Sequence, residues 1–158
     1  HPQAIAAAQE ALRGGASIFT DVEMVRTGIN KRKLASFGGE VHCLIADANI
    51  AAAAKQQGIT RSMAAMRQFG RALDGNIVAI GNAPTALFEV LRLVAEEDVR
   101  PACIVGIPVG FVGAADSKEA LRKNTLVPYI TVEGTKGGSP IAAAAINALM
   151  YDIDDTRF

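Results

Sequence analysis

The chain has 158 residues, half of them apolar and only 5% aromatic, which suits one domain with an aliphatic, alanine-rich core. Its 16 basic and 16 acidic side chains cancel, and that balance excludes a general nucleic-acid footprint, which needs a basic excess or stripe. The apolar runs are too short to span a bilayer and no signal peptide opens the chain, so a cytoplasmic protein is expected.

In chain order, residues 2–13 predict an amphipathic helix with Ile5, Ala8 and Leu12 on one stripe, stopped by Gly14 and Gly15. His1 and Pro2 run straight into that pattern without an initiator Met, which predicts a piece whose beginning was removed or lost. "ASIFTD" predicts a buried strand, "VEMVRTGI" a helix and "KRKLASFGGE" a connector with a solvated basic cluster at 31–33. A second strand is expected over 40–46, with Asp47 as N-cap of the alanine-rich helix after it. Gly58 ends that helix, and Thr60 caps another over 61–73. The third strand is "NIVAIG", followed by a helix over 84–95. The fourth is "ACIVGI", followed after a loop by a helix over 116–123. The fifth is "VPYITVE", and after "GTKGGSP" a last helix covers 140–150, ahead of a polar tail expected to fray.

Five strands alternating with helices, apolar throughout, predict an α/β fold of three layers, a doubly wound parallel five-stranded sheet. Cys43 and Cys103 each sit in an apolar run and are expected to be buried, reduced thiols. Neither has metal-ligand spacing around it, so no metal site is assigned.

In such sheets ligands bind beyond the carboxyl ends of the strands, where every βα junction lies. The first junction offers Thr20, Asp21 and Glu23. Asp21 suits first the N-cap of the helix that follows, while carboxylates at a switch point can also hold a substrate nitrogen or order a loop. The third offers Gly81, Asn82, Ala83, Pro84 and Thr85, with Pro84 fit for the first helical position and Asn82 or Ala83 left to cap. The fourth offers Val109, Gly110, Phe111, Val112 and Gly113, and the fifth Gly138 and Ser139. "PVGFVGAADSK" is neither a P-loop, which needs Gly-Lys-Ser/Thr at the helix start, nor a dinucleotide fingerprint. It turns apolar Val109, Phe111 and Val112 outward beside glycine amides, as a large flat ligand with an anionic rim requires. Lys118 begins the next helix. Arg61 stands at a helix start, where a cation opposes the dipole, a broken local rule that points to function.

These junctions resemble the precorrin-8X methylmutase (precorrin isomerase) family of cobalamin biosynthesis. The matching stretches are "GASIFTDVEMVRTGI", "ITRSMAAM", "NIVAIGNAPTALFEVL", "VGIPVGFVGAADSKEAL" and "VPYITVEGTKGGSPIAAAAINAL". The resemblance implies a flavodoxin-like fold, a homodimer with active sites near the subunit interface, and an intramolecular methyl shift from C11 to C12 of a tetrapyrrole. That shift gives hydrogenobyrinic acid, or cobyrinic acid from the cobalt-containing substrate, and consumes no cofactor. By the same resemblance Arg61 in "ITRS" is a charged substrate contact, and Thr27 and Gly28 in "VRTGI" line the substrate.

The family's acid is a histidine in an R-M-[VI]-H motif placed upstream of this region. Neither His1 nor His42 stands in such a motif, so no catalytic residue is assigned, and His42 is expected to be structural. General acid help is worth about two to four orders of magnitude in rate, so this chain alone is expected to bind a corrinoid but turn it over slowly or not at all. The alternative is a corrinoid carrier without catalysis. A flavin or nucleotide binder ranks last, because "FTDVEM" puts acids where a phosphate loop belongs.

Overall fold

The computed structural model describes residues 1–154. Five parallel strands form one sheet in the order β2-β1-β3-β4-β5: β1 Ile18–Thr20, β2 Val41–Cys43, β3 Ile77–Ile80, β4 Cys103–Gly106 and β5 Tyr129–Thr131. This is the flavodoxin-like order, with its switch point between β1 and β3.

Helices cover both faces, as a parallel sheet requires. Helices α1 (Ala4–Arg13), α2 (Glu23–Gly28), α3 (Lys31–Ser36) and α8 (Ser139–Ile153) pack on one side. Helices α5 (Arg61–Phe69), α6 (Pro84–Glu96) and α7 (Ala114–Lys123) pack on the other, and α4 (Ala48–Gln57) flanks α5. The strands divide their side chains with a period of two. Ile77 and Ala79 of β3 join the first core, Val78 and Ile80 the second. The three inner strands are buried on both faces, while β2 and β5 are half-buried edges.

Local chemistry explains several boundaries. The Asp47 carboxylate accepts from the amides of Asn49 and Ile50 at the start of α4, and Gly58 closes that helix at φ 66°. Thr60 Oγ1 accepts from Met63 N to start α5. Gly70 then turns the chain into a short 3₁₀ segment, Gly70–Leu73, so the helix expected over 61–73 is two pieces.

Other boundaries depart from expectation. The stretch 31–36 is a helix rather than a connector, capped by the Asn30 side chain accepting from Lys33 N. The 31–33 cluster is only partly solvated, because Lys33 pairs with Asp154 and lies over the Phe37 ring. In α1 the buried stripe is Ala4, Ala8 and Leu12, while Ile5 is exposed. Cys103 is buried, and burial pushes its thiol up to about 12. Cys43, on edge strand β2, is half-buried. Helix α8 runs on to Ile153, held there by Gln9 donating to Asp152 and Asn30 donating to Tyr151 Oη. The frayed tail expected from 151 is therefore helix as far as Ile153, and residues 155–158 lie outside the described part.

Candidate functional site: the rim at the carboxyl ends of the strands

The loops after β1, β3, β4 and β5 converge on one rim and are tied to one another. Asp21 makes the first tie. Its carboxylate, fully buried, accepts from the amides of Gly81 (2.9 Å), Asn82 (2.9 Å) and Ala83 (2.7 Å). The N-cap of α2 is Val22, which has no side-chain cap, so Asp21 is not the cap of its own helix. It orders the loop after β3 instead, and it is sealed from any ligand above. Burial raises its pKa from the ordinary aspartate value, and the three amides pull it back. Glycine is needed at 81, because a Cβ there would lie 2.6 Å from Val25 Cγ2 and 2.7 Å from Ser139 Cα.

The loops after β4 and β5 are joined by backbone bonds. Gly110 N donates to Thr135 O, and Gly138 N donates to Ile107 O. A Cβ at Gly137 would meet the Ile107 and Pro108 carbonyl oxygens at 2.6 and 2.8 Å, so the two turns lie flush. Gly113, the N-cap of α7 with φ 84°, stands against Pro84 at the start of α6. Thr85 Oγ1 lies 2.9 Å from Thr60 Oγ1 and thereby links α6 to the residue before Arg61.

The expected site residues thus fall into three groups. Asn82, Arg61, Val109, Phe111 and Val112 are exposed on or beside the rim, with Phe111 96% and Val112 90% exposed. Pro84, Thr85, Gly110 and Gly113 are half-buried next to them. Asp21, Ala83, Gly138, Ser139 and Lys118 lie beneath as supports. Lys118 is the clearest correction. It stands in the second turn of α7 rather than at its start, is 1% exposed, and donates to the Lys136 carbonyl at 2.5 Å.

Helix α2 carries the other expected site residues, of which Thr27 and Gly28 are exposed. Its Thr27 hydroxyl donates back to Glu23 O at 2.9 Å. Gly28 serves helix packing, since a Cβ there would approach Ala143 Cβ of α8 to 2.8 Å. Glu23 pairs with Arg26, whose hydrogen bond holds the carboxyl below its ordinary range. His42 stacks on Phe19 with ring centroids 4.9 Å apart, a structural contact. Among the described residues no group of three or more His, Cys, Asp or Glu side chains is placed to hold a metal ion. No described helix is long and apolar enough to cross a membrane.

A buried anion under one pair of loops and a buried cation under the other leave a surface of backbone, glycine and apolar side chains. A sequence model of the precorrin-8X methylmutase family matches residues 1–152. The chain belongs to that family. It is 46% identical over 149 residues to the cobalt-precorrin-8 methylmutase of Priestia megaterium, covering 94% of this chain and 66% of that protein. The same enzyme of Salmonella typhimurium is 49% identical over 145 residues, covering 91% and 67%. The precorrin-8X methylmutase of Sinorhizobium sp is 46% identical over 149 residues, covering 94% and 70%. The chain therefore spans about two thirds of the length of these relatives. Among solved structures, the precorrin-8X methylmutase of Thermus thermophilus superposes with a TM-score of 0.88 at 37% identity, covering 98% of this chain and 75% of that one.

Exposed residues that the sequence reading left unmarked are Thr135 and Lys136 beside the rim, and Met24 on α2. Thr135 and Lys136 ride on "GTKGG", where only glycines drew notice, and Met24 is 64% exposed on the first turn of α2.

Proposed function

We propose that this chain holds precorrin-8X, or its cobalt-containing counterpart, and belongs to an isomerase that moves the methyl group from C11 to C12 of that tetrapyrrole. The observation that supports it is the family match over residues 1–152, joined to a rim that offers what an acid-fringed apolar macrocycle needs. Phe111, Val112 and Val109 supply an apolar platform. Arg61 and Asn82 supply polar contacts at its border.

The chain's own contribution is orientation. A ring held with the migrating methyl over its acceptor carbon gains rate from lost rotational freedom alone. The supports under the rim serve that end, because Asp21 and the backbone ties between loops fix the platform before the ligand arrives. Proton donation belongs to a histidine of the R-M-[VI]-H kind, for which His42, stacked on Phe19, is no substitute. We further propose a homodimer in the cytoplasm, with exposed Met24, Phe111 and Val112 as apolar surface shared between the ligand and a second copy.

The test is a titration of the chain with hydrogenobyrinic acid, followed by absorption, beside an incubation with precorrin-8X. Saturable binding of the acid is expected from this chain, with slow conversion of precorrin-8X or none. Absence of binding overturns the proposal. Tight binding of precorrin-8X without spectral change in a longer protein that carries the histidine motif would reduce the role to holding.

A further inference from the structure

We infer that Lys136 takes a carboxylate of the tetrapyrrole acid and that Lys118 is the positioning residue that holds Lys136 in place. The inference rests on the functional reading above and names a charged contact for it.

Lys118 is a buried cation whose one hydrogen bond runs to the Lys136 carbonyl, at 2.5 Å. None of the ion pairs among the described residues includes it. A lysine ammonium out of water is costly unless something compensates, and burial here lowers its pKa. Packing alone would be served by methionine or leucine at this position. What the ammonium adds is a donor reaching a turn that has little order of its own.

That turn, residues 134–138, is "GTKGG". Three ties hold it. Gly110 N donates to Thr135 O on one side of Lys136, Gly138 N donates to Ile107 O on the other, and Lys118 Nζ takes the Lys136 carbonyl between them. Only the middle tie is a side chain, and it alone fixes the residue that carries a charge. The Lys136 side chain is exposed and enters none of those ion pairs. It stands one residue from the contact with Gly110, and so next to the loop that presents Phe111 and Val112. An apolar platform with a fixed ammonium at its border matches a flat macrocycle edged with acetate and propionate. A charge-assisted hydrogen bond there would orient the ring as well as bind it.

The experiment measures the affinity of the whole chain for hydrogenobyrinic acid in four variants, with KM and kcat read in a protein that turns over. K136M is expected to weaken binding about tenfold, the scale of one charge-assisted contact. K118M is expected to weaken it by a similar factor while keeping the thermal midpoint, since a buried apolar isostere is tolerated. The double variant is expected to bind no worse than the weaker single one, and both losses to fall on KM rather than kcat. K123M, which removes the same charge from the far end of α7, is expected to bind as the wild type does.

Unchanged affinity in K136M overturns the inference, whatever happens to the fold of K118M. Losses that multiply in the double variant overturn the claim that Lys118 acts through Lys136. Failure of the wild-type chain to bind the acid overturns the functional reading itself, whereas wild-type binding unmoved by either substitution overturns this inference alone.

Discussion

The carboxylate of Asp21 lies 2.7 Å from the amide nitrogen of Ala83, across 62 positions of chain, and takes the amides of Gly81 and Asn82 as well. One side chain from the loop after β1 therefore braces the loop after β3 at the β1/β3 switch point, where open α/β sheets place their ligands.

Asp21→Asn tests the lock. The asparagine oxygen can still accept, but its NH₂ group must face a backbone N–H, and at least one buried amide loses its partner. Each such loss costs about 1–3 kcal/mol, so urea denaturation is expected to show a drop of about 3 kcal/mol. Faster hydrogen exchange is expected at the amides of 81–83. A stability equal to wild type would mean that the loop holds itself.

How much of this was legible follows the range of each contact. Strands β1, β3 and β4, the caps Asp47 and Thr60 and the αL turn at Gly58 were readable, because apolar runs and cap chemistry act over a few residues. Helix α3 was not, since it buries only Leu34 and shows no apolar period; Asn30, three residues before Lys33, was its one signal. Strand β2 came out shorter than expected because only Val41, His42 and Cys43 find partners on β1. The exposure of Phe111, Val112 and Arg61 was foreshadowed by rule-breaking at junctions, an apolar loop and a cation at a helix start. For the buried residues the sequence offered roles but not partners. Nothing near Asp21 announces amides 60 positions away, and Lys118 looked like a helix-start lysine until α7 was seen to begin at Ala114.

Glu89 supplies a prediction in pH. It is 2% exposed on α6 and accepts from Arg67 (3.0 and 3.3 Å) and Arg92 (3.0 and 2.7 Å). Burial alone would raise its pKa, but the hydrogen bonds from Arg92 and Arg67 win and hold it below the ordinary 4.5. A lowered folded value means stability present above the unfolded value and lost as pH falls through the folded one. Asp21, with its raised value, carries the opposite sign. Glu89→Gln is expected to cost about 2 kcal/mol at neutral pH, under the roughly 3–5 kcal/mol of a fully buried pair, because both arginines still reach water. The gap in thermal midpoint between wild type and variant should close as pH drops below 4.5. A gap that persists at lower pH would show that packing, not charge, is lost.

Arg61 separates stability from binding. As the first residue of α5 it is exposed and unfavourable to the helix dipole. Arg61→Gln is expected to stabilise the fold slightly, by about 0.3–1 kcal/mol, while weakening hydrogenobyrinic acid and flattening the salt dependence of its binding. Calorimetry at two ionic strengths reads both effects. Weaker binding together with a less stable fold would instead make Arg61 a structural residue.

Phe111 decides whether the platform is real. It is 96% exposed in the loop between β4 and α7, so Phe111→Ala removes almost no buried surface and is expected to change stability by under about 0.5 kcal/mol. Toward a flat apolar ligand it should matter far more, with affinity for hydrogenobyrinic acid falling roughly tenfold, about 1.4 kcal/mol. Leu126→Ala is the matched control, since Leu126 is 53% exposed between α7 and β5, at the opposite edge of the sheet. Equal affinity in the two variants would place the ligand elsewhere. A selective loss in Phe111→Ala would put the macrocycle on the loop whose backbone Thr135 holds through Gly110.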